Sequence, residues 1–289
     1  MRKINEVKSK SVFITGASTG IGKACAIHLD AIGFRVYAGI RQNKDAEELR
    51  KIASDGLVPI HLDVTDQESI KATIDTLSDS VGDKGLDGLV NNAGIAITGP
   101  MEFLPIEELR RQFEVNVIGQ VAVTQAFLGL LRQARGRILN ISSISGQVAL
   151  PFLGPYASSK FALEAISDAL RVELRPWGIH VILIEPGRIA TPIWGKSLEK
   201  ANENMQALPP QGKELYGSIL EFARASMMNP SRSMLTVETV AEVIERALTT
   251  KNPKPRYAVG RKTGRRILLF KLLPTWLRDK MMAHMMGLK

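Results

Sequence analysis

Short apolar runs alternate along this chain with longer segments in which apolar residues recur every three to four positions. The short runs predict buried strands at residues 11–15, 34–40, 57–62, 86–90, 137–142 and 180–185. The longer segments predict helices at residues 23–33, 44–55, 66–81, 105–132 and 153–176. Strands that alternate with helices form a parallel sheet covered on both faces, so we predict an α/β fold with one doubly wound sheet.

A glycine-rich turn joins the first predicted strand to the first predicted helix. Its spacing is G-x-x-x-G-x-G rather than the commoner G-x-G-x-x-G. Glycines let the backbone approach a pyrophosphate, and the helix N-terminus offers that group free N–H donors. A glycine-rich turn without a ligand is the alternative. The predicted dinucleotide contacts in this turn are Gly16, Ser18, Thr19, Gly20, Ile21 and Gly22.

Residues at the next two strand ends bear on which dinucleotide binds. Arg41 follows the second strand, where dinucleotide folds contact the ribose 2′ position, and a cation there suits the 2′-phosphate of NADP(H). A solvated arginine is the alternative. Asp63 and Val64 end the third strand, in position for the adenine ring. Arg41 therefore predicts a preference for NADP(H). Because Thr19 does not add a second cation in the glycine-rich turn, we expect NAD(H) to remain usable.

Tyr156 and Lys160 are one turn apart on the predicted helix 153–176 and therefore share a face. A neighbouring ammonium lowers the pKa of a tyrosine from its ordinary value of about 10, so the pair could exchange a proton with a substrate oxygen. Two unrelated side chains on a helix surface are the commoner meaning of this spacing. The assignment therefore depends on the residues around the pair.

Other polar residues follow the later strands. Asn91-Asn92-Ala93-Gly94, Ser142-Ser143 and Pro186-Gly187 all come at carboxyl ends, where open α/β sheets bind ligands. Asn116 lies inside an apolar helix and needs a partner for its amide, which a helix kink or a cap to a neighbouring loop would also supply.

Taken together, these motifs resemble the short-chain dehydrogenase/reductase family. They are TGASTGIG at 15–22, Asp63, NNAG at 91–94, Asn116, Ser143, Tyr156-x-x-x-Lys160 and PGRIATP at 186–192. Their order and spacing are those of the family over about residues 10–192, and more loosely over 235–260. The resemblance implies a Rossmann-type fold and an enzyme that transfers a hydride between a nicotinamide cofactor and an alcohol or ketone. A non-catalytic dinucleotide sensor or scaffold on this fold is the alternative.

The resemblance also implies a role for each residue. Tyr156 would be the general acid or base, Lys160 would lower its pKa and bind the nicotinamide ribose, and Ser143 would hold the substrate oxygen. Asn116 would hold a water that relays protons to Lys160 and partners its amide. The remaining cofactor contacts implied are Asn91, Ala93, Gly94, Pro186, Gly187, Ile189 and Thr191.

Residues 193–230 are rich in large apolar side chains and predict a mobile lid. An apolar pocket favours an apolar substrate, and Val148 and Trp194 are candidate walls beside Ser143 and Tyr156. The family members that this pattern resembles act on steroids, retinoids and other lipid alcohols or ketones. Ordinary packing of these residues is the alternative.

The net charge of +9 is concentrated at one end of the chain. Residues 251–289 hold 11 basic residues and one acidic residue, a net charge of +10, so the remainder is nearly neutral and nucleic-acid binding is not expected. We therefore divide the chain into a domain over 1–260 and a basic, amphipathic extension over 261–289. That extension is predicted either to contact an anionic membrane surface or to pack on the pocket or a subunit interface.

Composition excludes several other classes. Cys25 is the only cysteine, which rules out an intrachain disulfide and suits the cytoplasm, and the four scattered histidines predict no metal site. Residues 1–10 lack the apolar core of a signal peptide, and no run of about 18 apolar residues predicts a membrane span. Family members often form homo-oligomers through helices such as 105–132 and 153–176.

Overall fold

The computed structural model describes residues 10–206, 208–228, 234–260 and 263–286. The prediction of no signal peptide falls mainly on residues 1–9, outside that part of the chain. Seven parallel strands form one sheet in the order β3-β2-β1-β4-β5-β6-β7. The strands are β1 (Ser11–Ile14), β2 (Arg35–Ile40), β3 (Leu57–His61), β4 (Gly88–Asn91), β5 (Arg137–Ile141), β6 (His180–Pro186) and β7 (Arg256–Val259).

Helices connect the strands and cover both faces of the sheet. They are α1 (Gly20–Ala31), α2 (Asn43–Ile52), α3 (Gln67–Val81), α4 (Ile106–Phe113), α5 (Gly119–Ala134), α6 (Gly154–Glu173), α7 (Pro192–Gln206), α8 (Pro210–Met228), α9 (Val237–Thr249), α10 (Thr263–Leu272) and α11 (Thr275–Met285). The predicted doubly wound α/β fold is confirmed. Helix α9 and strand β7 were not predicted from the sequence. The four-residue strand β7 pairs with β6 at the edge of the sheet, and α9 packs in one of the two cores.

Alternate side chains of each strand enter two separate cores. Val12 and Ile14 of β1 lie in the core beneath α1, α2 and α9, whereas Phe13 between them lies in the core beneath α3 and α5. Phe13 packs edge-on against Phe127 of α5, with ring centroids 4.8 Å apart. Two buried faces require apolar residues at successive positions, which explains the continuous apolar runs of the sequence.

The predicted helix 105–132 is interrupted by a wider turn. A π-helical turn, Glu114–Ile118, joins α4 to α5, and the N–H of Gly119 bonds to the carbonyl of Glu114. Of the described residues, only the helical stretch Ile106–Ala134 is long and apolar enough to cross a membrane, although no span was predicted. Half of its most apolar window is buried in the protein, which is the behaviour of a core helix.

Two pairs of helices lie outside the sheet layers. The predicted lid forms α7 and α8, apart from residues 207 and 229–230, which are not described. The predicted C-terminal extension forms α10 and α11, and neither helix has a buried residue. The C-terminal pair therefore presents much of its surface to solvent or to a partner.

Candidate active site

The carboxyl ends of the strands surround a cavity of about 710 Å³. It lies where the strand order reverses between β1 and β4, the usual ligand position in an open α/β sheet. Most of the predicted cofactor contacts line it, namely Gly16, Ser18, Thr19, Gly20, Ile21, Arg41, Asp63, Val64, Ala93, Gly94, Tyr156, Lys160, Pro186, Gly187, Ile189 and Thr191. Gly22 and Asn91 are the predicted cofactor contacts that do not.

The glycine turn is held in a conformation that side chains would block. Gly16 has a φ of +63°, and a Cβ built there would lie 2.9 Å from the Cα of Ala93. A Cβ at Gly22 would collide with the carbonyl oxygen of Gly16 and lie 2.5 Å from Nδ2 of Asn92. Gly22 therefore allows the close packing of α1 on the turn rather than contacting the ligand.

The N-terminus of α1 is available to an anion. Thr19 is its N-cap residue, makes no side-chain capping bond, and no acidic residue occupies the first turn. Free N–H groups and the helix dipole at this end favour a phosphate. The turn and the helix end therefore fit the pyrophosphate of a dinucleotide.

Thr15 and Asn92 fix the two sides of this turn. The Thr15 hydroxyl accepts the backbone N–H groups of Asn92 and Ala93, both at 2.9 Å. The amide of Asn92 donates to the carbonyls of Thr15 and Gly16 at 2.9 and 3.0 Å. The buried amide of Asn91 instead donates to Thr124 and Asn140 inside the sheet. Asn92, not the predicted Asn91, is thus the asparagine at the cavity.

Arg41 and Asp63 lie at the far end of the cavity, on the adjacent strands β2 and β3. Burial raises the pKa of Asp63, but hydrogen bonds from the N–H and hydroxyl of Thr65, at 2.9 and 2.7 Å, together with the charges of Arg41 and His61, leave it below its ordinary value. Asp63 is therefore an anion beside the exposed Arg41 guanidinium. This cation is placed where it can meet a negative group on the ribose.

Tyr156, Lys160 and Ser143 meet at the opposite end. Tyr156 and Lys160 lie one turn apart on α6 and are only 7% and 4% exposed. Ser143, just after β5, shares a hydrogen bond with the phenol and accepts the N–H of Ser145 at 3.1 Å. Nζ of Lys160 donates to the Ile141 carbonyl at 2.7 Å and lies 5.8 Å from the Tyr156 ring centroid. The sheet thus brings the predicted hydroxyl, phenol and ammonium together.

Burial sets the protonation of this group. It raises the pKa of Tyr156 to about 12, against the lowering effect of the Ser143 hydrogen bond. It also lowers the pKa of Lys160 to about 8, against the effect of the Glu164 carboxylate. In this arrangement burial places the pKa of Tyr156 above its ordinary value, and the ammonium of Lys160 donates to the carbonyl of Ile141. The lowering of the tyrosine pKa by Lys160 stays a prediction. At neutral pH Tyr156 is a neutral phenol that can donate a proton.

Asn116 sits in the π turn, but its amide is already engaged by protein groups. Oδ1 accepts the N–H of Ile95 at 2.9 Å, while Nδ2 donates to the Ile95 carbonyl at 3.0 Å and to the Ser159 hydroxyl at 3.1 Å. The predicted water is therefore not what satisfies this buried amide. Of the two local alternatives from the sequence, a helix kink and a cap to a neighbouring loop, the cap describes the bonds to Ile95.

A polar stripe on the same helices was missed by the sequence analysis. Gln112, Asn116, Gln120 and Thr124 follow each other at four-residue intervals, and all four are buried. Gln112 bonds the N–H of Ile97 and the carbonyl of Ile95, and Gln120 donates to the carbonyl of Ala93 at 2.7 Å. The stripe fixes the loop after β4 that forms one wall of the cavity. Its regular spacing within an apolar segment was the signal that could have identified it.

The loop after β6 and residues of α7 complete the cavity. Thr191 lies 3.5 Å from a Cβ built at Gly20, so the loop after β6 closes against the glycine turn. Ile95, Ile97 and Ile193 add apolar surface. Val148, a predicted substrate contact, does not line this cavity, and the side chain of Trp194 lies outside the described part of the chain.

Two contacts, one partly exposed and one exposed, attach α7 and α8 to α4 and to the segment before it. Lys200 of α7 pairs with Glu108 at 3.4 Å, and the hydroxyl of Tyr216 of α8 donates to Glu102 at 2.8 Å. The Tyr216 ring also meets Phe103 and Phe152 edge-on, with centroids 5.9 and 6.3 Å away. The lid is therefore held at its rim by contacts that water can compete for.

The chain is similar to known dehydrogenases and to a reductase over nearly its whole length. Human 17-beta-hydroxysteroid dehydrogenase type 6 is 38% identical over 97% of this chain and 90% of its own length. Human retinol dehydrogenase 16 is 38% identical, over 96% and 89%. The NADPH-dependent 3-dehydrocapnine reductase of Ornithobacterium rhinotracheale is 39% identical, over 93% of each chain.

A solved structure and a family model give the same result. A short-chain dehydrogenase from Streptomyces avermitilis superimposes with a TM-score of 0.75 at 30% identity, over 94% of each chain. The model for the short chain dehydrogenase family matches residues 10–202, which is more than half of the chain. This chain is therefore a member of the short chain dehydrogenase family.

Proposed function

We propose that the protein is an NADP(H)-preferring oxidoreductase that interconverts a lipophilic alcohol and its carbonyl compound, of the steroid, retinoid or a related lipid class. The observation that carries this proposal is the neutral Tyr156 phenol, bonded to Ser143 and one turn from Lys160, in the same cavity as the glycine turn. The relatives named for 17-beta-hydroxysteroid and retinol support the substrate class.

The chain's own residues account for the proton and the polarisation. When bound, the nicotinamide supplies the hydride in reduction and accepts it in oxidation. Tyr156 donates its phenolic proton to the carbonyl oxygen, while the Ser143 hydroxyl hydrogen-bonds that oxygen as charge develops on it. Lys160 favours the phenolate that remains and holds the ribose. In the oxidative direction the same phenolate removes the proton from the alcohol.

Cofactor preference follows from the far end of the cavity. Arg41 can pair with a 2′-phosphate, and a relative named as NADPH-dependent supports the same preference. The first-turn N–H groups of α1 would hold the pyrophosphate, and Pro186, Gly187, Ile189 and Thr191 would hold the carboxamide of the nicotinamide. NAD(H) lacks the 2′-phosphate but can use every other contact, so it remains a weaker cofactor in this proposal.

The described lining of the cavity is mixed, and its apolar part includes Ile95, Ile97 and Ile193. Charged side chains from α4, the π turn and α7 also line it, namely Arg110, Arg111, Glu114 and Lys200. The apolar part suits a hydrophobic skeleton and leaves the oxygen-bearing carbon to the polar pair. Contacts from Val148 and Trp194 stay predictions.

A substrate panel tests the proposal directly. Steroid ketones, retinaldehyde and small polar ketones should be assayed with NADPH and with NADH, and the lipophilic carbonyls with NADPH should give the largest kcat/KM. Tyr156→Phe should lower kcat by about 10²–10⁴-fold, because a positioned general acid contributes about that factor. Tyr37→Phe, another buried tyrosine that does not line the cavity, is the matched control. Unchanged activity of Tyr156→Phe would overturn the catalytic assignment.

The same proposal includes where the enzyme meets its substrate. A cytoplasmic protein with peripheral contact at a membrane would reach lipid-soluble alcohols, and the basic helices α10 and α11 expose Leu269, Leu272 and Trp276.

Homo-oligomers through the α4–α5 segment and α6 also stay a prediction. Ile118, Phe161 and Val172, which are exposed on these helices, support it and size-exclusion chromatography with light scattering tests it.

A further inference from the structure

Two buried carboxyl groups, one on α6 and one on β6, lie close to the active site but do not line the cavity. Glu164 is on α6, one turn after Lys160, and Glu185 ends the apolar part of β6 directly before Pro186. They are 6% and 4% exposed. Neither was singled out from the sequence, and neither has a role in the chemistry described above. Buried acidic residues without a strong partner are rare in proteins.

The two carboxyl groups share the same two donors. Nε2 of Gln147 lies 3.1 Å from an oxygen of Glu164 and 3.3 Å from an oxygen of Glu185. Nε of Arg256 lies 3.3 Å from each of the same two oxygens. Two nitrogen atoms therefore bridge the pair, and both acidic groups converge on one small space.

These contacts are longer than those that two carboxylates usually receive, and Glu164 has in addition the Ser142 hydroxyl and a second Arg256 nitrogen at 3.2 Å. Charge-assisted bonds to a carboxylate are usually about 2.7–2.9 Å. Arg256 makes its two short contacts, both 2.7 Å, to Asp168, whose pKa stays low despite partial burial. The arginine is thus committed mainly to the more exposed aspartate, and the glutamates receive its longer contacts.

Other charges facing the pair come from three elements. Besides each other, the two glutamates face Lys160 and Asp168 on α6, Arg256 on β7 and Lys271 on α10, while Arg171 on α6 pairs with Asp168. Lys271 acts partly through Gln147, whose Oε1 accepts its ammonium at 2.8 Å. Arg171 is bonded to Asp168 at 2.7 Å and Lys160 to the carbonyl of Ile141 at 2.7 Å. None of the bonds given for these two cations goes to the glutamate oxygens that share donors.

We propose that Glu164 and Glu185 hold one proton between them. This singly charged pair positions α6, which carries Tyr156 and Lys160, against the end of β6. The proton lets the two oxygens share donors without mutual repulsion. In support, burial, followed by the charge of Glu164, raises the pKa of Glu185 to about 7. Burial likewise raises the pKa of Glu164.

The pair and its shared donor Gln147 adjoin three parts of the active site. Glu164 belongs to the helix of Tyr156 and Lys160, and Glu185 directly precedes the predicted nicotinamide contacts Pro186 and Gly187. Gln147 follows the short turn Ile144–Gly146 after Ser143. When both carboxyl groups ionise, their repulsion pushes α6 away from the end of β6. Glu164 and Glu185 are therefore positioning residues whose effect depends on pH.

The pH dependence of activity tests this. The activity ratio of wild type to Glu185→Gln, measured as kcat with NADPH on a substrate found in the panel, should fall by about threefold or more from pH 6 to pH 8.5. Glutamine keeps an oxygen acceptor for Gln147 and Arg256 and cannot ionise. Glu245→Gln, which removes a partner of His28 far from the cavity, is the matched control and should give a constant ratio. A constant ratio for Glu185→Gln as well would overturn the proposal.

Two measurements need no substrate and so separate this proposal from the proposed function on which its activity test rests. Infrared difference spectra of the full-length wild type with NADPH should show a protonated carboxyl at pH 6 that titrates near neutral pH and is lost in Glu185→Gln. The Tm of wild type relative to Glu185→Gln should be higher at pH 5 than at pH 8, because a raised carboxyl pKa stabilises the fold below that pKa. Absence of any protonated carboxyl in the wild type at pH 6 would overturn the proposal even if the variant failed to fold.

Discussion

Tyr156 shows how one residue's environment can oppose the chemistry expected from its neighbour. Lys160 lies one turn away, yet burial raises the phenol pKa to about 12 and lowers the ammonium pKa to about 8. The protein alone thus holds a proton donor suited to carbonyl reduction. Oxidation requires the phenolate, so it should be favoured at higher pH, where proton removal from Tyr156 is easier.

Arg41, which lines the cavity, is the residue at which the proposed cofactor preference can be tested. Arg41→Asp should raise the KM for NADPH at least tenfold, since a charged hydrogen bond contributes about 1.5–3 kcal/mol, and should leave the KM for NADH similar or lower. Steady-state kinetics with both cofactors measure this. Arg50→Asp makes the same charge change on exposed α2 and should alter neither KM. Equal NADPH affinity before and after the Arg41 change would refute contact with the 2′-phosphate.

The residues that gather at the active site could be predicted from the sequence, because they follow strand ends that all lie at one edge of the sheet. Ser143, Tyr156 and Lys160 meet as expected, since parallel strands bring their carboxyl ends to one edge. Individual side-chain directions could not be predicted. Asn91 and Asn92 are adjacent in sequence, and only the pleat of β4 decides that Asn91 enters the sheet while Asn92 meets the glycine turn.

At the level of elements, the polar stripe on α4 and α5 separates a structural role of Asn116 from a proton relay. Asn116→Ala removes the acceptor of the Ile95 N–H, whereas the Ile95 carbonyl keeps Gln112 as a donor. One buried unsatisfied donor costs roughly 1–3 kcal/mol, so Tm should fall by several degrees.

Calorimetry of Asn116→Ala beside Asn43→Ala, an exposed control on α2, measures that loss. Activity should fall together with Tm, because Ile95 lines the cavity. An unchanged Tm with lost activity would contradict the structural role and favour the relay.

The contact between α7 and α4 should affect the KM for substrate more than the stability of the fold. Glu108→Gln weakens the contact of α4 with Lys200, a partly exposed pair worth roughly 0.2–1 kcal/mol. The KM for a lipophilic substrate should rise by up to about fivefold with little change in Tm. Glu107→Gln is the matched control, because Glu107 pairs with Arg110 on its own helix. The contact has no part in holding the lid if both variants behave alike in kinetics and in limited proteolysis.

Element boundaries were predictable where periodicity is continuous, and less so where packing decides. The six predicted strands and the helices between them are all present. A helix kink at Asn116 was one alternative from the sequence, but the π turn itself could not be predicted, because it accommodates Asn116 against a loop 21 residues earlier in the chain. The carboxyl pair was likewise hidden, since Glu164 and Glu185 meet only when α6 packs on β6.

Over the whole molecule, charge and exposed apolar surface coincide at the C-terminal end. The basic residues concentrate in 251–289, and the exposed side chains of α10 and α11 include Leu268, Leu269, Leu272 and Trp276. The neutral body provides no competing attraction. A surface that is both cationic and apolar favours an anionic lipid interface over either water or nucleic acid.

The full-length protein should therefore bind vesicles that contain phosphatidylserine and bind neutral phosphatidylcholine vesicles weakly. Arg265→Gln with Arg266→Gln should reduce binding at least tenfold, because each basic residue near an anionic surface contributes about 1 kcal/mol. Leu272→Ser with Trp276→Ser should reduce it at any salt concentration, whereas Ile52→Ser, an exposed control on α2, should not. Co-sedimentation at low and high salt measures all four proteins. Equal binding by all four would show that the extension does not form the contact. Binding through its basic residues should also weaken at high salt, since electrostatic attraction falls as ionic strength rises.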